Sequence, residues 1–176
     1  SGIDAVAIGQ VRPLIPLQID PPQHKHYRRL LDPIFAPRQV AGLEAQTRAL
    51  VHDLVEPLVA GGRCNFHEAV AEPFPTTVFL QLLGLPVSRA KEFIALKDGI
   101  IRPPVQTHEE RVAYTSEVGA QIYQVLQEAI DERTQDRGSD FISLFLDAEV
   151  DGHRLTNDDV LDIGYLFFLA GLDTVT

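Results

Sequence analysis

Five basic groups fall within six residues, His24-Lys25-His26-Tyr27-Arg28-Arg29, in a chain whose formal net charge is −10. On a helix, i, i+4, i+7 spacing puts His24, Arg28 and Leu31 on one face and Lys25 and Arg29 on the neighbouring one. Turned inward, His24 and Arg28 can bind carboxylates or a phosphate through charge-assisted hydrogen bonds. Turned outward, Lys25, His26 and Arg29 can meet an acidic partner. A solvated basic helix face is the third possibility that spacing leaves open.

A second group of residues lies near the C-terminal end of the sequence, at Ala170-Gly171-Leu172-Asp173-Thr174. A glycine inside a helix costs about 1 kcal/mol relative to alanine, and a buried carboxylate costs more unless it is paired. Two local rules are broken together, which is the pattern expected of a functional site. A third candidate, Cys64 with His67, has no second Cys or His pair at metal-ligand spacing, so both read as structural.

The elements that must position these residues are helices. Thr156 as N-cap, with Asp158 and Asp159 in the first turn, predicts a helix from about Asn157. From Val160 to Leu172 its only charge is Asp162, which fits a helix buried on most sides and is too short for a membrane span. Asp20 as N-cap with Pro21 at the first helical position predicts the start of the basic helix. Before it, Val11-Arg12-Pro13-Leu14-Ile15-Pro16-Leu17 sets two prolines among apolar residues and reads as a buried or ligand-lining loop.

Between these two helices, Pro33 and Pro37 end the basic one. An amphipathic helix of ordinary core type is predicted from Gln39 to Leu58, stopped by Gly61-Gly62. Cys64-Asn65-Phe66 reads as a short strand, with a helical region from His67 to Ala71. Helices follow from Thr76 to Leu83, from a Ser88 cap to about Ile101, and from about His108 to Arg133. The last carries a stripe of Val118, Ile122, Val125, Leu126, Ala129 and Ile130. Asp140 to Leu146 forms a short helix, and Glu149 to Leu155 a hairpin turning at Asp151-Gly152. The fold class is mainly α with minor β.

With 176 residues and 45% hydrophobic content the chain can bury one core, so a single domain is expected. The acidic balance argues against nucleic acid as a partner. The sequence shows no signal peptide and no membrane-spanning run, which gives a cytoplasmic expectation and no membrane partner. Its single cysteine excludes an intrachain disulfide. No Gly, Asn or basic last turn closes the final helix before Thr176, so residues 1–176 are expected to be an incomplete domain.

The stretch Asp20-Pro21-Pro22-x-His24-x-x-x-Arg28, followed about 140 residues later by Ala170-Gly171-x-Asp173-Thr174, resembles the cytochrome P450 family of haem-thiolate monooxygenases, of the bacterial soluble type. Leu82-Leu83-Gly84-Leu85-Pro86 and the hairpin before the last helix are similar to that family in the same order. The match runs from just before the family's C helix to the middle of its I helix. The resemblance implies a helical fold around haem b, reductive activation of dioxygen, and insertion of one oxygen atom into an organic substrate.

By this similarity His24 and Arg28 face the haem propionates, and Lys25, His26 and Arg29 lie where a ferredoxin-type redox partner docks. Ala170 and Gly171 let the backbone approach the oxygen-binding face. Asp173 and Thr174 form the acid–alcohol pair: the hydroxyl holds oxygen and ordered water, and a rotating carboxylate relays protons. Leu166 and Leu169, with Ala170, line the substrate cavity, and Leu14 and Leu17 close it from another side, which implies a small hydrophobic substrate.

The family's cysteine ligand lies in a Phe-x-x-Gly-x-x-x-Cys-x-Gly loop, whereas Cys64 has Ala60 four residues before it and Pro57 seven before it. Cys64 is therefore not the iron ligand, and no metal ligand is assigned within the chain. The family's Glu-x-x-Arg pair is also absent. A non-catalytic helical ligand-binding protein, or a partner-docking module built on the basic helix, is the alternative reading.

Overall fold

The computed structural model describes residues 8–173. In chain order the helices are α1 (Gln23–Leu31), α2 (Pro37–Gly42), α3 (Glu44–Val59), α4 (Pro73–Leu83), α5 (Ala90–Ile101), α6 (His108–Gln135), α7 (Phe141–Leu146) and α8 (Asn157–Asp173). Between α7 and α8 lies one antiparallel hairpin, β1 (Glu149–Val150) with β2 (His153–Arg154), paired Glu149 to Arg154 and Val150 to His153. Asp151 and Gly152 both take positive φ, 54° and 80°, the geometry that lets a two-residue turn follow the strand twist. The predicted mainly-α architecture with minor β is the observed one.

The core is organised on α8, which packs against α4, α5, α6 and α7. Val160, Leu161, Ile163, Tyr165, Phe168, Leu169 and Leu172 of α8 are all buried. All six residues of the predicted α6 stripe are buried opposite them. Each fully buried Leu, Ile or Phe contributes about 1.5–3 kcal/mol, so packing on α8 dominates the stability of the assembly. Phe93 of α5 meets Phe168 edge to face at 5.9 Å, and Tyr123 of α6 stacks on Tyr165 at 4.8 Å.

Helix ends follow local chemistry in some places and tertiary contacts in others. Thr107 and Glu110 form a capping box at the start of α6, and Thr156 with Asp159 does the same for α8. The Asp20 cap is not observed. Two consecutive prolines supply no N–H to bond, α1 begins at Gln23, and only the Asp20 carbonyl accepts from the His24 amide. Ser88 is no cap either, since Val87–Arg89 forms a 3-10 turn leading into α5.

Two further expectations are corrected. Cys64-Asn65-Phe66 is not a strand, for among the described residues no neighbouring strand offers it a ladder, and it leads into a π-helical turn at His67–Ala71. The helix predicted from Gln39 to Leu58 is two helices that break at Leu43, after Gly42. It is not core-type: α3 buries no residue fully, and Val51, Val55 and Val59 are exposed. Its apolar side is only partly covered, by α2, α4 and the π-helical turn.

Gly84 closes α4 with φ 92°, and a Cβ there would overlap the Asp140 carboxyl. Arg133 bridges this corner, donating from Nε to Asp140 Oδ2 at 2.6 Å and from Nη2 to the Gly84 carbonyl at 3.1 Å. Burial pushes the Asp140 carboxyl up, but the bonds from Arg133 and the Ser143 amide outweigh it and leave it below its ordinary value. A carboxylate lowered on folding stabilises above the unfolded value of about 4, and that contribution is lost as pH falls through the lower folded value. Asp140→Asn is therefore expected to lower stability at neutral pH and to flatten the acid side of a denaturation-versus-pH curve. An acid limb identical to wild type would show that the bridge contributes nothing.

Candidate active site at the end of helix α8

Helix α8 is fixed at its first turn, in its second turn and at its end, each time by charge. At the start, Asp159 uses Oδ2 for the Thr156 cap and accepts from the Tyr27 hydroxyl of α1 at Oδ1, 3.1 Å away. Burial first, and the Asp159 charge second, push the Tyr27 hydroxyl up to about 12. It therefore remains a proton donor throughout the neutral range. One turn further on, buried Asp162 accepts from Arg12 Nε at 2.7 Å and from the Tyr123 hydroxyl at 3.1 Å. Arg12 also reaches Asp158 at 3.3 Å, so the loop before α1 is tied to α8 by one guanidinium.

At the end of α8, Asp173 faces α5. Its Oδ1 lies 3.2 Å from Arg102 Nη1 and 3.8 Å from Lys97 Nζ. The Lys97 side chain is only 4% exposed, buried in the row of Phe93, Leu96 and Ile100. A buried ammonium requires a carboxylate close by. Asp98 supplies one at 2.7 Å and also lies 2.9 Å from Arg102. The arrangement sets two carboxylates against two cations and leaves Asp173 partly open, at 22% exposure.

The candidate residues near Asp173 divide into an open strip and a packed one. Ala170 is exposed and Leu166 half-buried, so they present an apolar strip on a helix whose middle is largely enclosed. Leu169 faces the core instead. The close approach that Gly171 permits is to the Phe79 ring of α4, which a Cβ would overlap. Phe79 stacks in turn on Phe167, which touches Phe35, Phe141 and Phe145. Thr174 lies outside the described residues.

In the loop before α1, Leu14 is buried in the core and Leu17 is 58% exposed. On α1, His24 is half-buried and its side chain has no hydrogen-bond or ion-pair partner among the described residues, while Arg28 pairs with Asp32 at 2.6 Å and is largely exposed. Lys25 and Arg29 are exposed, but His26 turns to the hairpin and pairs with Asp151. Cys64 is exposed. Among the described residues no group of three or more His, Cys, Asp or Glu is placed to hold a metal, and no helix is long and apolar enough to cross a membrane.

The donor set fits a haem in its chemistry. His24 and Arg28, one turn apart and accessible, suit two carboxylates, and the open Leu166–Ala170 strip suits a flat apolar ring. Sequence reasoning missed Lys97, Asp98, Arg102 and Arg12. A detectable signal existed for the first: Lys97 occupies an apolar position in the α5 period set by Phe93, Leu96 and Ile100. Nothing local marks the others.

No family model matches the sequence. Among curated proteins the chain is 33% identical over 174 residues to probable cytochrome P450 127A1 of Sinorhizobium fredii, covering 98% of this chain and 40% of that protein. It is 30% identical to cytochrome P450(BM-1) of Priestia megaterium, covering 90% and 39%. It is also 30% identical to cytochrome P450 monooxygenase PikC of Streptomyces venezuelae, covering 90% and 37%. Among solved structures, CYP101J2 superposes with a TM-score of 0.78 at 32% identity, covering 92% of this chain and 38% of that one. The order of helices, the hairpin ahead of α8 and these likenesses lead to one assignment: the chain belongs to the cytochrome P450 family and spans about 40% of the length of the relatives it matches.

Proposed function

We propose that residues 1–176 are the central helical part of a haem-thiolate monooxygenase, which inserts one oxygen atom from dioxygen into a small hydrophobic organic substrate. The observation that carries this reading is the placement of Asp173. It lies in the last described turn of the central helix, next in sequence to Thr174, and is held by Lys97 and Arg102 while still partly open to solvent.

When bound, haem b supplies the reductive activation of dioxygen. His24 and Arg28 would hold its two propionates, and Ala170 with Gly171 would lie against its face. The thiolate comes from polypeptide beyond residues 1–176, because Cys64 lacks the sequence setting of that ligand. Electrons come from a ferredoxin-type partner that meets exposed Lys25 and Arg29. His26 serves that surface indirectly, by fixing α1 to the hairpin through Asp151.

Asp173, whose side chain is partly open to solvent, takes up a proton and passes it inward by rotating about its side-chain bonds. The Thr174 hydroxyl holds the receiving water in line. Around them, the apolar strip of Leu166 and Ala170 keeps bulk water out, so protons arrive singly and not through solvent.

Thr174→Ala in the full-length protein is expected to keep its haem while the share of reducing equivalents recovered as product falls several-fold, with peroxide released instead. Product yield and peroxide are measured against reductant consumed. Coupling equal to wild type contradicts the role given to Thr174.

A further inference from the structure

Helix α1 is attached more by polar contacts than by packing. Of its nine residues only Leu31, the last, is fully buried. Among the described residues two of its polar side chains reach α8 or the hairpin. The Tyr27 hydroxyl donates to Asp159 of α8 at 3.1 Å, and His26 Nδ1 pairs with Asp151 Oδ2 in the hairpin turn. The two contacts respond differently to pH. Tyr27, pushed up to about 12, keeps its proton throughout the neutral range. Imidazole is the side chain whose charge ordinarily changes there, and an uncharged ring makes a hydrogen bond about half as strong as a charged one.

The surrounding charges set the direction of the response. The groove between α1 and the hairpin is lined by His26, Arg29, Glu149 and Asp151. The hairpin thus opposes two carboxylates to the ring and to Arg29, so attraction across the groove is strongest when the ring is charged. Of the other charges nearby, Arg28 is taken up by Asp32, and Asp159 by Tyr27 and Thr156. Arg154 lies opposite Glu149 in the hairpin, and Lys25 and His153 are exposed. An ion pair of this kind contributes while the ring is protonated, and its contribution is lost as rising pH removes that proton.

We infer that His26 and Asp151 form a pH-sensitive latch, which holds α1 against the hairpin while the imidazole is protonated and frees it to swing about the Tyr27–Asp159 contact when it is not. The latch itself needs only these contacts. Its consequence rests on the reading that Lys25 and Arg29 receive the electron donor: closure holds that surface in place, so electron delivery slows as pH rises.

The test uses the full-length protein at about pH 6 and about pH 8, on either side of the usual imidazole range, with His26→Gln, His26→Arg and Asp151→Asn. Hydrogen–deuterium exchange of the α1 amides, corrected for the intrinsic effect of pH, reads the latch. In wild type, protection is expected to fall about two- to fivefold from the lower pH to the higher, the range of one solvent-exposed ion pair. His26→Gln and Asp151→Asn should show the lower protection at both pH values, and His26→Arg, whose charge is permanent, the higher. Reduction by a two-iron ferredoxin used as probe reads the consequence, as the wild-type rate divided by that of His26→Arg at each pH.

Wild-type protection that is the same at both pH values overturns the inference, and so does an undiminished pH dependence in His26→Gln. If protection follows the charge and ferredoxin reduction does not, the latch is supported and the docking role of Lys25 and Arg29 falls.

Discussion

Asp173→Asn in the full-length protein is expected to lower turnover by about 10²-fold, the usual contribution of a positioned proton-transfer group, while haem content and substrate binding stay as in wild type. Asparagine keeps the size and most of the hydrogen bonding of the side chain but cannot carry a proton. It also gives up the attraction to Arg102 at 3.2 Å and Lys97 at 3.8 Å, so the side chain moves more freely and yet delivers nothing. Stability should change little, because Asp98 still neutralises buried Lys97 at 2.7 Å. Steady-state turnover with a saturating electron donor checks it, alongside the substrate-induced spectral change. An asparagine variant that turns over at the wild-type rate would remove Asp173 from proton delivery.

The largest expected loss of stability belongs to Arg12→Ala. The Asp162 side chain is 5% exposed, and its charge is balanced by Arg12 at 2.7 Å with help from the Tyr123 hydroxyl. Breaking one side of a buried pair costs about 3–5 kcal/mol, and the partial exposure of Arg12 places this case near the lower figure. Burial, then the Asp162 charge, push the Tyr123 hydroxyl well above its ordinary value, so it stays protonated and, among the described residues, remains the one side-chain donor left to Asp162. Arg12→Met combined with Asp162→Leu should recover most of the loss, since an apolar pair strands no charge. Urea unfolding midpoints decide: a single variant as stable as wild type would show that the network carries no load.

How far the sequence disclosed this arrangement depended on the distance between interacting residues. The α6 stripe, the Thr156 start of α8 and the Asp151–Gly152 turn were legible because each depends on residues a few positions apart. The stripe of α3 was legible as a period but not as an exposed surface, because periodicity shows that an apolar face exists and not what covers it. Asp20 met the rule for a cap and failed as one, since the two prolines after it removed the amides a cap would satisfy. Arg12 finds Asp162 across 150 positions, and Asp98 and Lys97 find Asp173 across the α5–α8 packing. Such pairings are decided by the tertiary fold.

The same distinction holds within the site. The motifs His24/Arg28 and Asp173-Thr174 were visible as residue types at a spacing, and the family likeness gave them roles. That Asp173 would be shared between two cations and a rival carboxylate had no local trace. Leu14 and Leu169 were expected to border a cavity, the first by family likeness and the second by its place on the helix, and their burial in the core was not legible from the sequence. One residue of rotation, about 100° on a helix, separates exposed Ala170 from buried Leu169.

The central claim, that these helices belong to a haem-thiolate monooxygenase, is tested most directly by the reduced carbon-monoxide difference spectrum of the purified full-length protein. A thiolate-type Soret band is the predicted result. A protein that folds and binds no haem, or one whose band shows a ligand other than thiolate, would contradict it.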